Sequence, residues 1–180
     1  MLKKILSYGS VAGLIVSVPL SLFSVAFARN GHEPFAHGMI FGYLMMLIAL
    51  STVFVAIKRH RDNELGGVIR FWPAFGLGLG ISFVASVFYV LTWEVAVALT
   101  HVDFASVYAN MLIEQQKAQG ISGEALAKFI ADMEQFKTQY ANPLFRLPMT
   151  FIEIFPIGVL VSLAAAAALR NSRFLAARRA

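Results

Sequence analysis

Glu153 and Pro156 stand inside MTFIEIFPIGVLVSLAAAAAL, residues 149–169, a stretch that is otherwise almost wholly apolar. A charged carboxylate in a membrane helix costs about 2.5–3.5 kcal/mol at the span centre and less toward its ends, so it normally faces a bundle interior or water and is paired. Pro156 adds to the polarity, because it lacks an N–H and leaves the Ile152 carbonyl without its helical donor. A neighbouring hydroxyl, a water, or Glu153 in its protonated form would fill that gap. Glu94, in VLTWEVAVALT, is a second acid in an apolar setting. Two carboxylates at one depth are the equipment of a proton or ion path. His37 and His101 lie on the same side of the membrane but shallower. Glu94, Glu153, His37 and His101 have the chemistry of zinc ligands, yet no pair has a tight metal spacing such as HExxH, and we expect neither a metal nor a cofactor. The competing reading is structural, with Glu153 paired to Arg146 or His37 because buried polar groups need partners.

These residues must be positioned by membrane helices. Of 180 residues 58% are hydrophobic and only 14% charged, too little polar surface for a water-soluble domain of this size. About 20 apolar residues cross the hydrocarbon layer as a helix, and four runs qualify: 5–28, 37–57, 73–99 and 147–169. The expected fold is all-α, a polytopic four-helix membrane bundle in one domain. The absence of cysteine excludes disulfides, thiol catalysis and cysteine metal sites. The net charge of +5 suggests nucleic acid at first, but the basic residues flank apolar spans and report orientation instead. With the N-terminus inside, ten of the fifteen Lys/Arg fall on the cytoplasmic side: Lys3, Lys4, Lys58, Arg59, Arg61, Arg70, Arg170, Arg173, Arg178 and Arg179. We therefore expect both termini in the cytoplasm. The first span has a rival reading as a signal peptide ending at Ala26-Phe27-Ala28, although its apolar stretch is longer than such segments usually are.

Packing signals support a bundle. Gly9 and Gly13, Gly38 and Gly42, and Gly76 and Gly80 are each four apart, the spacing that lets helix backbones approach; the last span offers Ala164 and Ala168. Ser10, Ser17, Ser21 and Ser24 form one stripe on the first span, expected to face other helices. Glu94 shares a face with Gly76, which predicts that it points into the bundle. Glu153 lies six residues past Leu147, roughly 9 Å into the core, at a depth similar to that of Glu94.

Between the third and fourth spans, Phe104, Val107, Tyr108, Met111 and Leu112 repeat with helical period, as do Leu126, Phe129, Ile130, Met133 and Tyr140 after Gly120. This predicts an extracytoplasmic amphipathic helical hairpin over about 103–141, with Ser122 capping its second helix and Asn142-Pro143 ending it. The cytoplasmic connector NELGGVIRFWPAF combines a bend at Gly66-Gly67, an interfacial Trp72 and a helix-starting Pro73. Lys58, Arg59, Arg61 and Arg70 around it are expected to anchor it to lipid headgroups.

GYLMMLIALSTVFVAIKRHRD, GGVIRFWPAFGLGL, NPLF and TFIEIFPIGVLVSLAAAAALR together resemble the bacterial four-span membrane proteins of domain of unknown function 4199, over nearly the whole chain. The resemblance implies a small integral membrane protein. It implies no activity, and marks Tyr43, Arg61, Gly66, Gly67, Glu153 and Pro156 as the signature of the type. Three classes of function follow. We read the chain as a structural or partner-binding protein of the bacterial inner membrane. Its partners would be the lipid bilayer and a second copy or another membrane protein, not nucleic acid. The alternative is a proton-coupled or ion or small-solute carrier using Glu153 with Glu94. An intramembrane enzyme is the weakest reading, because no nucleophile–base pair or metal spacing is visible.

Overall fold

The computed structural model describes residues 1–30, 35–100 and 103–176, and for 24–30 and 35–39 it describes the backbone alone. Among the described residues there are six helices and no strand: α1 (Leu2–Asn30), α2 (Phe35–Glu64), α3 (Phe71–Thr100), α4 (Phe104–Ala118), α5 (Gly123–Tyr140) and α6 (Pro143–Leu169). Four of them, α1, α2, α3 and α6, are long and apolar enough to cross a membrane. They extend past the apolar runs where polar residues continue the helix. Thus α2 runs on through KRHRDNE to Glu64, and α6 starts at Pro143 rather than at 147. Asn142 caps α6 by accepting from the Leu144 N–H at 3.0 Å, and Pro143, which has no N–H to leave unsatisfied, takes the first helical position.

The four long helices form a ring in the order α1, α3, α6, α2, with α2 and α3 facing each other across the diagonal. The loop from α2 to α3 therefore crosses the end of the bundle. Gly66 (φ 63°) and Gly67 (φ 88°) adopt the left-handed conformation that the bend demands. Buried Ile69 then plugs the bundle end from within the loop. Trp72 is 75% exposed beyond it, and Pro73 sits in the first turn of α3, as the sequence indicates. The interior is filled: Ala12, Val16, Ala49, Leu50, Val53, Ile57, Leu77, Ile81 and Ile154 are essentially inaccessible.

Close approach comes from small residues, not always the expected ones. On α1, Gly9 and Gly13 press against α3, where an added Cβ would lie 2.6 Å from that of Val84 and 2.4 Å from that of Phe88. Gly80 packs on Ile5. Gly76 meets nothing within 4 Å and Gly42 only the tip of Leu20 at 3.7 Å, so neither mediates a tight crossing; the side-chain surroundings of Gly38 lie outside the described residues. The α3–α6 crossing rests on Gly78 and Ser82 against Gly158 and Ser162, a reciprocal pair that sequence reading missed. In α6 the buried alanines are Ala165 and Ala166, whereas Ala164 is exposed. On α1, Ser17 is buried and Ser10 and Ser21 are half-buried, so this stripe does turn toward other helices; Ser24 lies outside the described side chains.

The hairpin is present as α4 and α5, packed on each other, with α5 also touching α6. Asp103 caps α4: its carboxylate accepts from the Ser106 N–H (3.0 Å) and hydroxyl (2.6 Å), bonds that hold its carboxyl below the usual range. Ser122 occupies the cap position of α5 but makes no side-chain cap bond. The buried stripe of α4 is Ala105, Ala109 and Ile113, not the larger residues of the periodic pattern, and no residue of α5 is fully buried.

Two packing substitutions separate tight from open glycines. Gly158→Ala would drive a Cβ to 2.6 Å from that of Ser82 and is expected to cost about 1–3 kcal/mol. Gly76→Ala, facing open space, should leave the melting temperature in detergent unchanged. Equal melting of the two variants would contradict the α3–α6 geometry.

Candidate functional site

A polar seam runs along α3 and α6 from mid-bundle to the hairpin end. At mid-bundle, Ser82 Oγ donates to the Gly158 carbonyl (3.2 Å) and lies 3.2 Å from Ser162 Oγ, while Ser162 donates to its own Gly158 carbonyl at 2.7 Å. Ser86 donates to the Ser82 carbonyl (2.8 Å) and Thr150 to the Arg146 carbonyl (3.0 Å). Ser86, Thr150 and Ser162 thus meet their needs on backbone four residues back, a bond that membrane helices tolerate where water is absent, and Ser82 meets its own on the facing helix. One stage nearer the hairpin, the buried Tyr89 hydroxyl donates to Glu153 Oε2 at 3.3 Å. Glu153 itself and Pro156 are on the exposed face of α6, with Ile152 and Leu160 also outward.

At the hairpin end the seam closes in an ion pair. Arg146 donates through Nε to Glu94 Oε1 (2.6 Å) and through Nη2 to Oε2 (2.5 Å), the two-pronged geometry that a guanidinium offers a carboxylate. Its Nη1 donates to the Tyr140 carbonyl at 3.2 Å, and its guanidinium carbon lies 5.7 Å from the Tyr140 ring centre. Trp93 donates its indole N–H to the Tyr140 hydroxyl (2.8 Å) and packs its ring 4.9 Å from that of Phe104. Burial pushes the Tyr140 phenol above its ordinary range, so the acceptor in this bond stays neutral. Residues of α3, α4, α5 and α6 thereby meet at one point, which holds the hairpin on the bundle.

This arrangement revises the expected acid pair. Glu94 is committed to Arg146, which therefore does not serve Glu153, and Glu153 turns instead to Tyr89. The two carboxylates therefore have different hydrogen-bond partners. His101 lies outside the described residues, and of His37 only the helical backbone is described. Among the described residues no three His, Cys, Asp or Glu side chains gather as metal ligands. Sequence reading missed Tyr89, although its spacing from Ser82 and Ser86 puts it on the same helix face. A signal for the Glu94–Arg146 match was present, since Glu94 lies near the end of the apolar run before the hairpin and Arg146 directly precedes the run after it.

The opposite end of the bundle holds the second revision. Arg61, expected at lipid headgroups, is 0% exposed. It donates to the carbonyls of Leu169 (3.4 Å), Phe174 (2.9 Å) and Leu175 (2.7 Å) and pairs with Asp62 at 2.6 Å. A cation there satisfies the last carbonyl of α6 and two of the tail beyond it, and complements that helix's negative end. It also folds the tail back, with Leu175 in the left-handed region (φ 48°) and Phe174 edge-on to Phe54. The sequence signal was register: Met46, Leu50, Val53, Ile57 and Arg61 continue one buried face of α2. Of the other cations, Lys58 pairs with Asp62 (2.6 Å), Arg59 lies 3.5 Å from the Tyr8 hydroxyl, and Arg70 is exposed.

Helices of this length and apolarity, ringed around a filled apolar interior, define a four-span membrane protein. The chain belongs to the family of proteins of unknown function called DUF4199, whose model matches residues 7–171. No curated protein and no solved structure matches it.

Arg61→Met removes a buried charge and strands three carbonyls, and is expected to cost on the order of 3–5 kcal/mol; a loss under about 1 kcal/mol in denaturant unfolding would refute the capping role. Breaking the outer pair is milder and more local. Glu94→Gln should speed amide exchange within residues 104–140 while leaving that of α1 and α2 unchanged.

Proposed function

We propose that this protein is a multi-pass component of the bacterial inner membrane, with both termini cytoplasmic and the α4–α5 hairpin extracytoplasmic, and that it acts by holding a partner in the membrane. The basic residues gathered at the end that carries the termini support that orientation. The fit of Gly9 and Gly13 into α3 supports α1 as a retained span rather than a cleaved leader. The observation that carries the functional reading is Glu153. Its carboxylate lies on the exposed face of α6 among Ile152, Pro156 and Leu160, with one neutral donor, Tyr89. A carboxylate so placed in lipid is expensive unless a further donor reaches it. A second copy, or another membrane protein docked on this face, supplies that donor and covers the exposed side chains. A carrier acting within one copy has less support, because the ring is filled at its centre and Glu94 is held by Arg146.

The chain's lack of cysteine makes the test clean. Single cysteines replacing Ile152 or Leu160 are oxidised or treated with a short bifunctional reagent in native membranes, with Leu14→Cys on α1 as the control. Cross-linked product is expected at 152 and 160 and not at 14, and Glu153→Gln should diminish it several-fold without lowering the melting temperature. If no product forms at either α6 position, and reconstituted liposomes show a proton flux that Glu153→Gln abolishes, the carrier reading replaces this one.

A further inference from the structure

A cleft of about 360 Å³ opens between α1 and α2 at the end of the bundle that carries the termini, lined by Lys4, Tyr8, Ala56, Arg59, His60, Asn63 and Glu64. Small-molecule sites span roughly 300–1,000 Å³, so this one admits a compact polar group rather than a large cofactor. Its upper wall is internally satisfied: the Lys4 ammonium is held by Glu64 and donates to His60 Nδ1 at 2.8 Å. Its lower wall is not. Arg59 is exposed, and among the described residues its one polar contact is the Tyr8 hydroxyl at 3.5 Å. A guanidinium carries five donors in a planar fork that matches a phosphate's oxygens. Most of that fork is unused, and a phenolic hydroxyl stands beside it.

The cleft also lies at the right level for lipid. With 30 residues, α2 is about 45 Å long, the thickness of a bilayer with its headgroups. Arg59, five residues from the end of α2, then falls where the headgroup layer meets the hydrocarbon. One turn deeper on the same helix faces are Val11, below Tyr8, and Val55, below Arg59, both exposed, an apolar path for an acyl chain. We propose that this cleft is a binding site for the phosphodiester of a membrane phospholipid, with Arg59 and Tyr8 as the donors and the acyl chains laid along Val11 and Val55.

Native mass spectrometry of the full chain released from detergent, with added phosphatidylglycerol, tests this directly. One retained lipid per chain is expected. Arg59→Gln should reduce retention at least fivefold, Tyr8→Phe should reduce it less, and Arg70→Gln, an exposed cation outside the cleft, should not change it. Arg59→Lys keeps the charge without the fork and should fall between wild type and Arg59→Gln. A melting curve for each variant confirms that the bundle is intact. Equal retention by wild type and Arg59→Gln would overturn the site. So would displacement of the lipid by millimolar inorganic phosphate alone, which would make the cleft's ligand a soluble phosphate. Retention of diacylglycerol as well as of phosphatidylglycerol would show that the phosphodiester is not what is recognised.

Discussion

A bilayer core offers no water to hydrogen-bond, so every polar group placed there must find its partner within the protein. That constraint orders this structure from one end to the other. At mid-bundle the polar side chains on the α3–α6 seam are, among the described residues, serines small enough to bond carbonyls of their own or the facing helix. Arg61 and the Glu94–Arg146 pair lie toward the ends, and both are engaged there. Arg61 is wrapped by three carbonyls and Asp62 at one end, and Arg146 is clamped on Glu94 at the other. The glycines follow from the same condition. Lipid tails are as apolar as leucine, so helices associate through close packing instead of through the exclusion of water, and close packing requires Gly9, Gly13, Gly78 and Gly158 at the contacts.

Each charged cluster also joins parts of the chain that are distant in sequence. Arg61 ties the end of α2 to the tail beyond α6, and with Ile69 it closes the bundle where the α2–α3 loop crosses the diagonal. The meeting of Trp93, Glu94, Tyr140 and Arg146 fixes the hairpin to α3 and α6 by directional bonds. The hairpin itself buries little apolar surface on the bundle, since α5 has no fully buried residue. Its position therefore depends on this junction more than on a hydrophobic interface. The buried Ser17 hydroxyl has no partner among the described residues, and Glu153 has only one neutral donor; the ionisable group is the costlier of the two, and there the physical argument for a partner begins.

Much of the fold was legible from the sequence. Apolar length set four spans, Asn142-Pro143 set where α5 ends, and helical periodicity set α4 and α5, because each of these is a local property of the chain. Glu153 and Arg61 were legible as unusual residues, but not in what they do. Arg146, expected as one partner of Glu153, serves Glu94 instead, since depth says nothing about rotation about a helix axis. Gly76 and Gly80 show the same limit. Their spacing is that of a packing motif, yet only Gly80 meets another helix, while Gly78, two residues away, carries the crossing with α6.

By itself, then, the sequence determined the number of helices, their lengths, the turns between them and the types of residue held at polar positions. These depend on apolar run length, on backbone chemistry and on charge, all of which act over a few residues. Only the tertiary structure decided which helix neighbours which: α1 lies along α3, and the consecutive α2 and α3 face each other across the ring. It also decided that Arg146 serves Glu94, that Tyr89 serves Glu153, and that Arg61 turns inward to the end of α6. Those pairings depend on how four rods are rotated against one another, and rotation is settled by the simultaneous fit of small residues and hydrogen bonds at every crossing.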